Sequence, residues 1–405
     1  MLLVTTCLVT VPAPAQKWLD SLDENLFLAS SNGFARVDLS GLVDLEGYAF
    51  DTPAPGLIVD DGDDAFFNPR LSLFLDARLG EHLYGFVQFR ADRGFDPTDS
   101  SDWDARFDEY LVRYTPWQDA RLNVQAGKFA TVVGNWVKRH DSWSNPFITA
   151  PSVYERVTAA SDQTIVPAPA AFLARRDIPD RKDIWVPVVW GPNYASGIAV
   201  SGSVGRFDYA VELKNASLAA RPEVWDASDQ DWSNPTVSGR IGFRPGAAWN
   251  FGFSASGGAY LQEAAEDAPA FPAGQDLADF RQLTLAQDFS FAHGHWQLWG
   301  EVFLTRIEIP NVGDADALSY YLEAKYKLTA RCFAAVRWNQ QFFADVNDGS
   351  GGETPWDRDL WRVDAALGYR LTRHLQGKVQ YSYNQEADDS PQGESLPALQ
   401  VTVKF

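Results

Sequence analysis

Between residues 131 and 193 the sequence gathers seven cations, Lys138, Arg139, Arg156, Arg175, Arg176, Arg181 and Lys182, against six carboxylates, Asp141, Glu155, Asp162, Asp177, Asp180 and Asp183. In a chain of formal net charge −20 this is a local concentration of positive charge. Guanidinium and ammonium groups collected in one place attract and steer anions. They can equally pair with the segment's own acids and hold its fold. The other chemistry-bearing residues are sparse. HGH at 293–295 offers two imidazoles without a nearby third ligand, which favours a solvated turn over a metal site. His140 near Ser142 and Ser144 approaches a nucleophile with its base, but no GxSxG frame accompanies it. DDGDD at 60–64 lacks the spacing of an EF-hand loop and reads as a solvated acidic loop. Two cysteines, Cys7 and Cys332, make neither a disulfide framework nor a thiolate metal site. The expectation is a protein that is not an enzyme and has no cofactor and no metal. The acidic balance argues against nucleic acid, which needs a basic footprint.

The elements that must position these cations read as strands. Val37, Leu39, Val43 and Leu45 alternate with Arg36, Asp38, Ser40, Asp44 and Glu46, and Leu71, Leu73, Leu75, Ala77 and Leu79 oppose Arg70, Ser72, Asp76 and Arg78. Period two is the strand signal, and ionised residues at alternate positions mean that the second face is wet. About sixteen such segments of roughly ten residues run from 34–50 to 396–405, the length that lets a tilted strand cross a bilayer. Beyond the N-terminus there is no apolar run of eighteen or more residues, so a transmembrane helix is excluded while a transmembrane barrel is not. Connections alternate between long, often acidic stretches and tight turns such as GEH, AHGH and TRH. That asymmetry predicts a single antiparallel barrel with turns at one rim and large loops at the other. A soluble sandwich or propeller remains the alternative, although neither predicts the alternation.

Residues 2–11, LLVTTCLVTV, followed by PAPAQ, predict a secretory signal over 1–15 cut after Ala15, with an ordinary N-terminal strand as the alternative. Residues 16–32 show helix-like spacing at Trp18, Leu19, Leu22, Leu26 and Leu28, and the barrel spans 33–405.

The chain ends on Val401, Val403 and Phe405, apolar at alternate positions with an aromatic last. Here the sequence resembles the bacterial outer-membrane porins. The resemblance implies an outer-membrane location, contact with lipid, and recognition of Phe405 by barrel-assembly machinery. It also implies passive diffusion of small hydrophilic solutes or anions; homotrimers are common in that family. In porins the third extracellular loop folds inward and narrows the channel, so residues 131–193 become the expected constriction and their seven cations its filter. KFATVVGNWVKR is similar to the segment entering the constriction loop of phosphate-selective porins, which adds an expected anion preference. Arg70, Arg113, Arg240, Arg337, Arg362, Glu109 and Glu323 fall on the face expected to line the lumen wall. The rival is a plugged barrel: an adhesin, a sheath for an electron-transfer partner or an oligosaccharide exporter.

Overall fold

The computed structural model describes residues 13–51, 54–58, 63–93, 103–178, 180–228, 232–387 and 393–405. Residues 1–12 of the expected signal, 60–62 of the acidic DDGDD and 96–102 of the next acidic run lie outside the described residues.

Sixteen antiparallel strands close into one barrel. They are β1 Ala35–Ala49, β2 Ala65–Leu79, β3 Leu83–Asp92, β4 Asp104–Tyr114, β5 Asn123–Lys128, β6 Ser196–Val204, β7 Phe207–Lys214 and β8 Thr236–Phe243. The second half comprises β9 Trp249–Ala259, β10 Arg281–His293, β11 Trp296–Ile309, β12 Gly313–Lys327, β13 Cys332–Phe343, β14 Leu360–Arg370, β15 Leu375–Glu386 and β16 Glu394–Lys404. Each strand pairs with its chain neighbour, and β1 meets β16 with Val43 opposite Val403. Closure matters because an unpaired N–H or C=O facing hydrocarbon costs several kcal/mol, on the order of a lost hydrogen bond or more.

The two faces separate as the alternation predicts. Leu285, Leu304, Leu322, Val336, Leu367 and Leu399 are exposed on the outside, whereas Asp44, Glu46, Glu301, Glu323, Arg337 and Asp364 are buried within. Ionised groups inside and bare aliphatic groups outside are the inverse of a water-soluble core, and they fit a bilayer-facing exterior. Trp249 packs at 4.5 Å from Phe291 and Trp296 at 4.7 Å from Tyr326, near the short-turn rim where amphipathic rings suit an interface. Phe405 seals the seam. Its backbone exchanges hydrogen bonds with Gly41, and its ring fills the space that a Cβ on Gly41 would need, 2.5 Å away.

Some strand starts and one connection differ from the sequence pattern. The second strand, whose alternation is read at Arg70–Leu79, begins at Ala65, because residues before Leu71 pair with β1 alone and Pro69 sits where no ladder hydrogen bond is demanded on its other side. The connection after β11 is the tight turn 310–312, with Asn311 at φ 62°, on the rim otherwise occupied by long loops. At the N-terminus the helix Ala13–Asn25 gives way to a short strand, Phe27–Ala29, added to β1. The helix is tied to the short-turn rim through Asp20, which accepts from Arg373 Nε at 2.7 Å and contacts His374 Nε2 at 2.8 Å.

Candidate functional site

The connection between β5 and β6, the third on the long-loop rim, turns into the lumen. An irregular chain inside a barrel has no ladder to satisfy its peptide groups, so wall side chains must do so. On one arc most of the groups are carboxylates, joined by Lys214 of β7, which donates to the carbonyls of Phe129 and Asn193 at 2.6 and 3.0 Å. Glu109 of β4 accepts the Ala130 N–H at 2.6 Å. Glu212 of β7 accepts the Thr131 hydroxyl at 2.7 Å and the Val132 N–H at 3.2 Å. Glu301 of β11 accepts the N–H groups of Asn135 and Trp136 and the Tyr154 hydroxyl, the last two at 2.9 and 2.6 Å. Gly134, at φ +77°, makes this approach feasible; a Cβ there would lie 2.6 Å from Glu301 Oε1 and 2.7 Å from the Tyr154 oxygen.

On the opposite arc the charged groups are cations, while the neutral amides of Gln380 and Asn339 accept the N–H groups of Ile148, Thr149 and Ser152 at 2.6, 3.3 and 3.1 Å. Lys378 of β15 donates to the carbonyls of Ser142, Asn145 and Phe147 at 2.7, 3.0 and 3.2 Å. Arg337 of β13 donates to the carbonyls of Thr149 at 3.2 Å and Ala150 at 2.9 Å. Arg362 of β14 donates to the Ala150 carbonyl and pairs with Glu155 at 2.5 Å. The loop also has an apolar seat. Trp136 and Tyr154, 4.6 Å apart, pack with Val133, Val153 and Val189 against Ala286, Phe303 and Tyr321 of the wall. Phe303 and Tyr321 occupy inward positions where alternation favours a small polar or ionised residue, and those breaks are the sequence signal for the seat.

Six of the seven predicted constriction cations are held by neighbours. Arg139 pairs with Glu323 at 2.7 Å and lies 4.4 Å over Trp299. Arg156 pairs with Asp357 at 3.4 Å and Glu386 at 2.5 Å. Arg175 donates to the carbonyls of Ala159 and Thr164, and Arg176 to Thr354 Oγ1 and the Pro355 carbonyl. Arg181 pairs with Asp183 at 2.7 Å, and Lys182 caps the carbonyls of Ala54 and Ile58. Lys138 differs. It is exposed on a cavity of about 620 Å³ on the short-turn side of the loop, together with Arg113, Arg240, Arg244, Glu109 and Asp208. Its side chain is exposed to the cavity, yet the enclosing lumen wall desolvates the ammonium, and this, with the nearby Arg240 guanidinium, lowers it below the usual lysine range.

The predicted wall residues all face inward, and five of the seven, Arg70, Arg240, Arg337, Arg362 and Glu323, have a charge of opposite sign as partner, whereas Arg113 and Glu109 meet neutral groups. Arg70 pairs with Asp44 at 3.2 Å and with Glu46. Arg240 bridges Asp208 and Asp288, both at 2.8 Å. Arg337 pairs with Asp364 at 2.7 Å and stands 3.9 Å from Glu323. Arg113 donates to Gln125 Oε1 at 2.9 Å.

Four of the five histidines are occupied by structure. His140 Nδ1 meets the Val137 carbonyl and Nε2 the Tyr194 hydroxyl, each at 2.5 Å, so its imidazole is not directed at Ser142 or Ser144. His82, His295 and His374 recur at short turns, each Nδ1 meeting a carbonyl of the next hairpin, Thr115, Lys327 or Lys404, at 2.7–2.8 Å. Among the described residues no group of three His, Cys, Asp or Glu is placed to hold a metal.

No family model and no curated protein matches the sequence. Solved structures do. The anion-selective porin from Comamonas acidovorans superposes with a TM-score of 0.56 at 12% identity, over 92% of this chain and 100% of that chain. The outer membrane channel DcaP of Acinetobacter baumannii gives 0.55 at 12% identity, over 93% and 99%. Salmonella typhi OmpF in complex with daunomycin gives 0.54 at 12% identity, over 93% and 100%. At these identities the likeness is one of architecture: the chain has the fold of the outer-membrane porins, a closed barrel of sixteen antiparallel strands.

Proposed function

We propose that the protein is a channel of the bacterial outer membrane through which small hydrophilic solutes pass by diffusion, with a preference for anions. The observation that carries the reading is Lys138: six predicted cations are tied to the fold, while this one faces a water-accessible cavity beside Arg240 and Arg244. Fixed charge between low-dielectric walls biases which ions enter. Planar-bilayer reversal potentials in a potassium chloride gradient test it. Wild type should favour chloride, and Lys138→Glu should move the potential toward potassium. An unchanged potential would remove Lys138 as the filter. In the same reading lipid covers the outer belt, Phe405 is the signal met by the assembly machinery, and the assembled form is a homotrimer. Native mass measurement addresses the trimer, and deletion of Phe405 should reduce assembled protein.

One observation favours the plugged alternative. The inward loop reaches from β4 to β15, and two further interior spaces, beside Arg70 and beside Arg156, measure only about 60 and 40 Å³. Absence of any current from correctly folded protein would select that reading.

A further inference from the structure

The short-turn cavity has a feature that a simple aqueous vestibule does not require. On β2 and β3 the inward positions carry Phe74, Tyr84 and Phe86, stacked in sequence with centroids 6.3 Å (Phe74 to Phe86) and 6.5 Å (Tyr84 to Phe86) apart and planes within 16°. Tyr84 and Phe86 are half-buried and pack with Leu111, Phe129 and Ala199 into an apolar patch on the inside of the wall. Keeping apolar surface against water is unfavourable in proportion to its area, and an apolar guest would relieve it. Facing the same space is the cationic group. Among the described residues Lys138 makes no hydrogen bond or ion pair, and the Arg244 side chain, 58% exposed, meets Asp208 Oδ1 through Nε at 3.4 Å and Nη2 at 3.3 Å. Arg240, by contrast, is saturated by Asp208 and Asp288.

We infer that this cavity is a binding station for aromatic carboxylates, the ring lying on Tyr84 and Phe86 and the carboxylate meeting Lys138 and Arg244. A volume of about 620 Å³ admits a single-ring acid with water to spare. The inference deepens the channel reading and rests on it for the ligand's passage, but not for its binding.

Titration calorimetry of the folded protein in detergent, with benzoate, acetate and benzyl alcohol as probes, tests it. Benzoate should bind roughly tenfold or more tightly than acetate, the difference expected for covering a ring. Phe86→Ala should bring the two acids close to parity. The double variant Lys138→Gln with Arg244→Gln, at exposed positions, should weaken benzoate roughly tenfold while leaving benzyl alcohol unchanged. Equal affinities for benzoate and acetate, or benzoate binding indifferent to the double variant, would overturn the inference, and the latter holds even if Phe86→Ala fails to assemble. Bilayer current separates the two claims: binding without current removes the channel and keeps the station, whereas current with no benzoate preference does the reverse.

Discussion

On the arc of β4, β7 and β11, carboxylates take up N–H groups of the inward loop, with Lys214 of β7 meeting the carbonyls of Phe129 and Asn193; on the arc of β13, β14 and β15, cations take up its carbonyls and the neutral Gln380 two of its N–H groups. The chemistry is forced, since an ionised carboxylate can only accept and an ammonium or guanidinium can only donate. The sign of a wall charge therefore records which backbone group faces it. Charges committed to peptide groups or to each other in the interior are not free to meet solvent; of the predicted constriction cations that leaves Lys138 on the short-turn side, where the neighbouring Arg244 keeps Asp208 as its partner.

The sharpest way to break this comparison is Arg337→Met. It removes donors to the loop and also strips Asp364 of a buried partner, so it should cost about 3–5 kcal/mol. Denaturant unfolding measures the loss, and hydrogen exchange should show residues 145–155 losing protection first. Glu301→Gln should cost less, about 1–3 kcal/mol, because the amide oxygen can take the place of Oε1 and still accept both N–H groups, while its NH₂ faces the Tyr154 hydroxyl that Oε2 now accepts from. If the acid arc proved the costlier of the two, the ranking offered here would be wrong. Gly134→Ala probes the same anchor without touching charge. Its Cβ must displace the Glu301 carboxylate and the Tyr154 hydroxyl, at about 1–3 kcal/mol, visible as noisier current and faster proteolysis within 131–155.

A smaller effect should appear with pH. Burial lowers His140 below the usual histidine value of 6.5, so the folded loop holds it neutral. Its stabilising contribution is complete above about 6.5 and is lost as pH falls through that value toward the lower folded one, where the unfolded chain takes up the proton first. Loop protection should decline between neutral and mildly acidic pH, and His140→Gln should flatten that dependence. Smallest in stability should be Lys138→Glu, within about 0.5 kcal/mol by unfolding, since the side chain is exposed and makes no hydrogen bond among the described residues. A large loss there would mean that Lys138 belongs to the loop's framework.

Strand number, closure and the two faces were legible because alternation is local: each strand carries its inside and outside in consecutive residues, as at Val43, Asp44, Leu45 and Glu46. Loop asymmetry supplied the rims, except at residues 310–312. Strand starts were less legible, as Pro69 shows, because whether a missing N–H matters depends on how far the neighbouring strand extends. The inward course of the third long loop was available only through the family resemblance, and Phe303 and Tyr321 were faint hints of its seat.

Sequence alone determined that the barrel wall would be apolar without and ionic within, since pleat and period are properties of consecutive residues. Only the tertiary structure decided which charges remain available. Arg139 and Lys138 are adjacent in the chain and identical in charge, yet one meets Glu323 across 184 residues of sequence and the other faces an open cavity. The partner that decides a charge's role is brought by strands far away in the chain, and pairing at that distance is set by barrel closure rather than by local pattern.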